Sequence, residues 1–432
     1  MENLNILYIH SHDSGRYIQP YGYQVPTPNL QLLADQGVLF RRAFCAAPTC
    51  SPSRAALLTG QSAHSSGMIG LAHRGFSLKD YSQHIVNTLR KVDYTSALIG
   101  LQHVAGDTSV IGYDQIVPCP SRLACDVAPR AADYLTNHPA EPFFLDVGFF
   151  ETHREFPEPG TEEDPDHCLP PPTLPDTPEV RYDMACYKAS ARQLDEGVGK
   201  VLQALDAAGL ADRTLVISTT DHGIAFPGMK CNLTDHGIGV SLILRGPGVL
   251  GGGRVVDAMV SHIDMFPTLC ELVNAPLPPW LQGTSLMPVL RGEAAEVNEE
   301  VFAEVSYHAA YEPQRAVRTQ RYKYIRRFGE RLLPVLPNCD DCPGKTIWME
   351  HGWKTRQVDQ EQLYDLIFDP NETHNQVGNP AYQDVLKEMR ERLLRWMTNT
   401  DDPLLAGDVI APKGAQVNDV NGVSPREDVI IV

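Results

Sequence analysis

Residues 43–61 read AFCAAPTCSPSRAALLTGQ, and within them Cys50, Pro52 and Arg54 precede a run of small and apolar residues. A thiol with a guanidinium four positions on, just ahead of a predicted helix, stands where the cation and the helix macrodipole both favour a thiolate. A nucleophilic cysteine needs a histidine base and forms thioesters, and the other polar residues point to different chemistry. Asp13, His103, His153, Asp221 and His222 each follow a short apolar run. Asp and His are metal-ligand residue types. Cys45 lacks proline and arginine at the spacing seen after Cys50 and reads as a packing residue.

The runs that precede these residues, NILYIH, TSALIG, PFFLDVGFF, TLVISTT and VSLILRGPG, alternate with amphipathic stretches, of which residues 182–206 read as one long helix. Continuous apolar strands alternating with helices predict an α/β fold whose mostly parallel sheet is buried on both faces. Ligands gather at the carboxyl ends of such strands, which is where the Asp and His residues fall. The catalytic unit is expected over 1–298, a smaller α+β unit with an antiparallel sheet over 299–400, and an extended tail over 401–432. That tail would dock on the body or on a second subunit. The proline-rich stretch 155–180 reads as a long functional loop.

Composition narrows the classes of partner. Of the 432 residues 43% are hydrophobic and 21% charged, and the net charge of −18 carries no Lys/Arg-rich run, which argues against nucleic acid and anionic membrane as partners. A small anionic substrate remains compatible, because cations and a metal can make one cleft positive in an acidic protein. No apolar stretch is long enough to span a bilayer and no export signal precedes NILYIH, so a cytoplasmic location is expected. The ten cysteines are then expected to be mostly buried thiols.

The segment CSPSRAALLTG resembles the signature of the sulfatases of the alkaline phosphatase superfamily, in which the cysteine is oxidised to formylglycine. The resemblance extends to G-x-x-H at 100–103, T-D-H-G at 220–223, G-x-S-L-x-P-x-L at 283–290 and the segment 362–372. The flanks of the signature are most similar to the sulfamidase branch, whose members hydrolyse the N-sulfate of glucosamine. The resemblance implies an alkaline phosphatase-like fold, a maturation enzyme that converts Cys50, and a hydrated aldehyde. One hydroxyl of that hydrate attacks sulfur and the other lets the sulfated intermediate collapse.

By the same resemblance Asp13, Asp221, His222 and the modified Cys50 hold a divalent metal. His12, which stands where many members have aspartate, either joins them or bonds to backbone. Calcium is the family's usual ion, and two imidazoles favour manganese, zinc or iron. Arg54 would anchor the hydrate, His103 act as base, His153 bind sulfate and protonate the leaving group, and Lys230 bind sulfate. Leu101 replaces a motif lysine, for which His73 or Arg74 compensates unless both are merely solvated. A second Asp-His-Gly, at 235–237, lines the pocket or caps a turn. Cys339 and Cys342 lack the partner pair of a zinc knuckle.

The expected activity is hydrolysis of a sulfate ester or sulfamate, best an N- or O-sulfated amino sugar. The alternatives are a phosphonate monoester or phosphodiester hydrolase of the same superfamily and a non-catalytic binder of sulfated glycans. A homo-oligomer joined through the tail is compatible with all three.

Overall fold

The computed structural model describes residues 4–137 and 139–432. Nine strands form the principal sheet: β1 (Asn5–Ser11), β2 (Val38–Phe44), β3 (Thr95–Gly100), β4 (Gln115–Val117), β5 (Phe143–Gly148), β6 (Thr214–Thr220), β7 (Gly239–Val240), β8 (Leu242–Arg245) and β9 (Arg254–Ser261). Their order is β4-β3-β5-β1-β6-β8-β2-β7, with β9 also paired to β2. The pairs β1–β5, β1–β6, β3–β5, β3–β4 and β2–β9 are parallel. β7 and β8 run antiparallel to β2, and β8 antiparallel to β6.

The apolar runs without alternation are the strands buried on both faces: every residue of β1, β5 and β6 is buried. Leu7, Ile9 and Val216 face one core and Ile6, Tyr8 and Ile217 the other. The expected set of strands omits β2, β4 and β9: Arg41 and Arg42 interrupt β2, Asp257 interrupts β9, and β4 is only three residues long, so none reads as a continuous apolar run. The long helix spans Pro178–Ala207, four residues earlier than its periodicity marks. The Thr177 side chain caps the Val180 N–H and proline occupies the first turn, where its missing N–H costs nothing.

A four-stranded antiparallel sheet follows: β10 (Glu300–Tyr307), β11 (Tyr311–Thr319), β12 (Tyr322–Arg327) and β13 (Glu361–Asp365). It is covered by the Gln383–Asn399 helix, whose Leu386, Met389, Leu393 and Met397 pack on Val317, Tyr324 and Leu363. The stretch 317–327, read as one run, is two strands and their turn. Asp235 ties this sheet to the catalytic body, with ion pairs to Arg318 at 3.0 Å and Lys323 at 2.5 Å. Residues 401–432 fold back onto their own chain through the hairpin β14 (Gln416–Asn418) and β15 (Val429–Ile431), with Ala415 fully buried and Asn418 N–H donating to the Ala309 carbonyl at 2.8 Å.

Candidate active site at the carboxyl ends of the parallel strands

Cys50 opens the helix Cys50–Thr59, after Thr49 in extended conformation and before Gly60 at φ +68°, and all ten helical residues are buried. The thiolate expected from its surroundings does not hold in this structure. Burial pushes the Cys50 thiol well above its usual range, more than Lys230 draws it down, and Asp13 and Asp221 push it further up.

Arg54, one turn on, is locked in place. Its Nη1 donates to His10 Nδ1 at 2.5 Å, and its Nη2 donates to the Ser11 carbonyl at 2.7 Å and to Asp221 Oδ2 at 2.9 Å. His10 can accept that bond because its Nε2–H donates to Asp146 Oδ1 at 2.8 Å. Nε of Arg54 is buried with no protein partner, which leaves one donor facing inward.

The strand ends after β1 and β6 supply the other walls. Asp221 Oδ1 accepts the N–H groups of Asp13 at 2.8 Å and His222 at 2.9 Å. Burial would raise both carboxyls, but Lys230 and His222 around Asp13, and His222 and Arg54 around Asp221, hold them well below the usual range. His222 Nδ1–H donates to the Gly223 carbonyl at 3.0 Å. Its Nε2 lies 3.4 Å from Cys50 Sγ and 3.4 Å from Asp13 Oδ1. His12 Nδ1 lies 3.1 Å from Asp221 Oδ2 but outside hydrogen-bond geometry, so both its ring nitrogens and Asp13 Oδ1 are buried and unbonded. Burial and Arg54 bring the His12 pKa down to about 4, so the ring is a neutral donor.

Donor atoms of His12, Asp13, Cys50 and Asp221 lie within 4.8 Å of one another. Buried, converging, unbonded lone pairs are the signature of a cation's place, so these residues fit a divalent metal. His12 therefore stands inside the donor cluster and does not bond to backbone through its ring.

Beyond this cluster lie the histidines. His103, half-buried with its Nδ1 enclosed, is kept neutral by desolvation and by His12 and Arg54, and it meets His73 through a 2.9 Å contact between ring nitrogens. His153 stacks on Phe150 at 4.8 Å, and its Nδ1–H donates to the Arg154 carbonyl at 2.5 Å. Its ring stands 5.0 Å from that of His12. Arg74, paired with His73 in the sequence expectation, turns to the tail instead and donates to Asn418 Oδ1 at 2.7 Å.

Lys230 Nζ sits 2.9 Å from Asp13 Oδ2 and 3.0 Å from Asp340 Oδ2. Burial alone would lower its pKa, but the two carboxylates outweigh it and hold the ammonium protonated. Asp340 belongs to the C-terminal unit and gave no signal in the sequence, where it lies between two cysteines in a stretch without periodicity. His308, buried at the β10–β11 turn, is a second such residue. Asp13, His103, Thr152 and Cys231 all have positive φ, so strained backbone collects around the site.

Of the second Asp-His-Gly, expected to line the pocket or cap a turn, His236 lines a cavity that does not include Cys50, and the loop does more than cap a turn. Gly237 accepts the Gly223 N–H at 2.9 Å, and a Cβ on Gly223 would meet the His236 carbonyl at 2.0 Å, so the two Asp-His-Gly loops pack backbone to backbone.

The sulfatase family profile matches residues 5–275, and a second profile, described as N-sulphoglucosamine sulphohydrolase, C-terminal, matches residues 229–332. The human N-sulphoglucosamine sulphohydrolase is 30% identical over 90% of this chain and 88% of its own. An ulvan-active sulfatase of Formosa agariphila is 28% identical over 99% and 87%. A putative sulfatase from Bacteroides thetaiotaomicron superposes with a TM-score of 0.73 at 22% identity, covering 99% of this chain and all of the other. A structure in complex with its substrate D-glucosamine-2-N,6-O-disulfate does so with a TM-score of 0.70 at 18% identity, covering 93% and 99%. With the signature cysteine, its arginine and the metal-ligand types gathered at one strand-end site, the chain belongs to the sulfatase family.

Proposed function

We propose that this sulfatase removes the N- or O-sulfate of a sulfated amino sugar, with formylglycine made from Cys50 and a divalent metal held by His12, Asp13, Asp221 and His222. The observation that carries the reading is the convergence of the unbonded His12 nitrogens and Asp13 Oδ1 on Cys50. When present, the metal and the formylglycine hydrate supply a nucleophilic oxygen and a second hydroxyl that releases sulfate. Two imidazoles among the donors favour manganese, zinc or iron over calcium.

The chain's own residues do the rest. Arg54 fixes Asp221 and keeps Nε as an unbonded buried donor. Lys230 donates to Asp13 Oδ2 and pairs with Asp340 by charge without a hydrogen bond, so its ammonium keeps donors for a sulfate oxygen. His103, neutral, takes the hydroxyl proton at its unbonded Nδ1. With its Nδ1–H tied to the Arg154 carbonyl, His153 has Nε2 as the atom from which a proton passes to the leaving nitrogen or oxygen. The amino-sugar assignment is supported by the match of residues 229–332 to the C-terminal profile and by the 30% identical human relative. All ten cysteines are free thiols, which supports a cytoplasmic, reducing location.

The test is the mass of the peptide carrying residue 50 from protein made in a host with the maturation enzyme, paired with turnover of N-sulfoglucosamine, glucosamine 6-sulfate and an aryl phosphodiester. An aldehyde at position 50 and sulfate release that vanishes in Cys50→Ala are expected. An unmodified thiol in fully active enzyme, or faster turnover of the phosphodiester, would overturn the reading.

A further inference from the structure

A cavity of about 540 Å³ opens between the catalytic body and the C-terminal unit, and Cys50 is not among its lining residues. Cys231 and Cys339 line it, and their chain neighbours Lys230 and Asp340 face the Cys50 site, so the two spaces share a wall one residue thick. Its volume is that of an ordinary small-ligand pocket.

The lining has a definite chemistry. Trp348 and Trp353 meet edge to face at 4.9 Å and present indole surface to the space. Thr173 Oγ1, Gln314 Nε2 and Arg327 Nε belong to lining residues and are buried without a protein partner. The charges nearly cancel: Glu312 pairs with Arg327 at 2.5 Å and Glu372 with Lys323 at 2.9 Å. Among the described residues of the lining, Arg356 is the one formal charge that makes no ion pair, and it is exposed. His351, whose Nδ1–H is tied to the Ile347 carbonyl at 2.8 Å, adds Nε2 as a further polar atom. Indole faces stack against the C–H face of a pyranose ring, planar amide and hydroxyl groups bond its hydroxyls, and a free guanidinium pairs with one carboxylate or sulfate.

We propose that this interdomain cavity is a second carbohydrate site, separate from the Cys50 site, that binds a sugar ring bearing one anionic group. The inference rests on the reading of the substrate as a sulfated saccharide. It gives the enzyme a hold on a longer acidic glycan beside the site that cleaves sulfate.

The test uses a sulfated tetrasaccharide of alternating glucosamine and uronate, and its N-acetylated, unsulfated counterpart, titrated against Cys50→Ala protein so that neither is turned over. Indole fluorescence reports binding. Arg356→Ala and Trp348→Ala, separately, are expected to raise Kd at least about fivefold, and in the otherwise wild-type enzyme to leave turnover of 4-nitrophenyl sulfate within about twofold. An Arg356 effect on both tetrasaccharides identifies the uronate as the anion, and an effect on the sulfated one alone identifies sulfate. Either supports the site. Unchanged Kd in both variants, or no binding of either tetrasaccharide to the parent protein, overturns it. Binding that depends on Arg356 in an enzyme that desulfates no saccharide would instead overturn the proposed function and leave the cavity assignment standing.

Discussion

His73 Nδ1 lies 2.9 Å from Nε2 of His103, and the two rings stack with centroids 5.1 Å apart and planes 16° from parallel. The contact occupies one nitrogen of His103 and leaves the other, Nδ1, buried and unbonded. Leu101, at the place of the family's lysine, is buried in apolar surroundings and cannot stand in for that cation. His73 therefore positions the base from the side the lysine vacates. His73→Ala should lower kcat about tenfold with KM little changed, and His73→Asn, which keeps a hydrogen-bonding group, should recover part of the loss. Equal kcat for wild type and His73→Ala would remove His73 from the site.

Lys230 balances Asp13 against Asp340, so the charge at the sulfate end depends on a residue contributed by the C-terminal unit. Lys230→Ala should cost about 10²–10³ in kcat/KM, the usual effect of removing one preorganised donor from a buried anion site. Asp340→Asn makes the site more positive by one charge. It should raise the ratio of kcat/KM for 4-nitrophenyl phosphate, a dianion, to that for 4-nitrophenyl sulfate, a monoanion, about tenfold. A ratio that stays put would mean that Asp340 only holds Lys230 in place.

Four ligand-type residues gathered in a buried cluster, with the His12 nitrogens and Asp13 Oδ1 unbonded, should make folding depend on the metal. Titrating chelated protein with manganese to about 100 times its Kd should stabilise it by about 2.7 kcal/mol, read as a rise in Tm. Asp221→Asn should abolish the rise, since Asp221 both offers a ligand oxygen and organises the Asp13 and His222 backbone. A larger rise with calcium than with manganese would reverse the preference argued from the imidazoles.

Acid should loosen the junction between the two units before it unfolds either sheet. Burial alone would raise the Glu304 carboxyl, but His64 at 2.9 Å and Arg315 at 3.2 Å outweigh it and bring its pKa from the usual 4.5 down to about 2. A carboxyl whose folded pKa is depressed contributes stability that is present above 4.5 and lost as the pH falls toward 2. Glu304→Gln should destabilise the protein by about 3 kcal/mol at pH 7, with Arg315 left to Asp402 alone. The gap in Tm between variant and wild type should close between pH 4.5 and 2. A gap that is constant across that range would show that Glu304 is not the titrating group.

Much of the site was legible in the sequence because its residues sit where local rules put them. Apolar runs without alternation have to be strands buried on both faces. The residues that end them, Asp13, His103, His153, Asp221 and His222, have to lie along one edge of the sheet. Cys50, Pro52 and Arg54 act within two turns of one helix, so spacing alone sets their relation. What tertiary structure decided is what crosses long stretches of chain.

Burial outweighed the expected pull of Arg54 on the thiol, because desolvation depends on everything packed around Cys50 and not on its neighbours in sequence. Arg74, adjacent to His73, was drawn to Asn418, more than three hundred residues away. Asp340 reached Lys230 only because the antiparallel sheet docks through Asp235, Arg318 and Lys323, buried charges whose pairing fixes one arrangement of the two units. A one-dimensional pattern records which face of its own element a residue takes, and the meeting of two elements is set by packing and charge pairing that no single stretch contains.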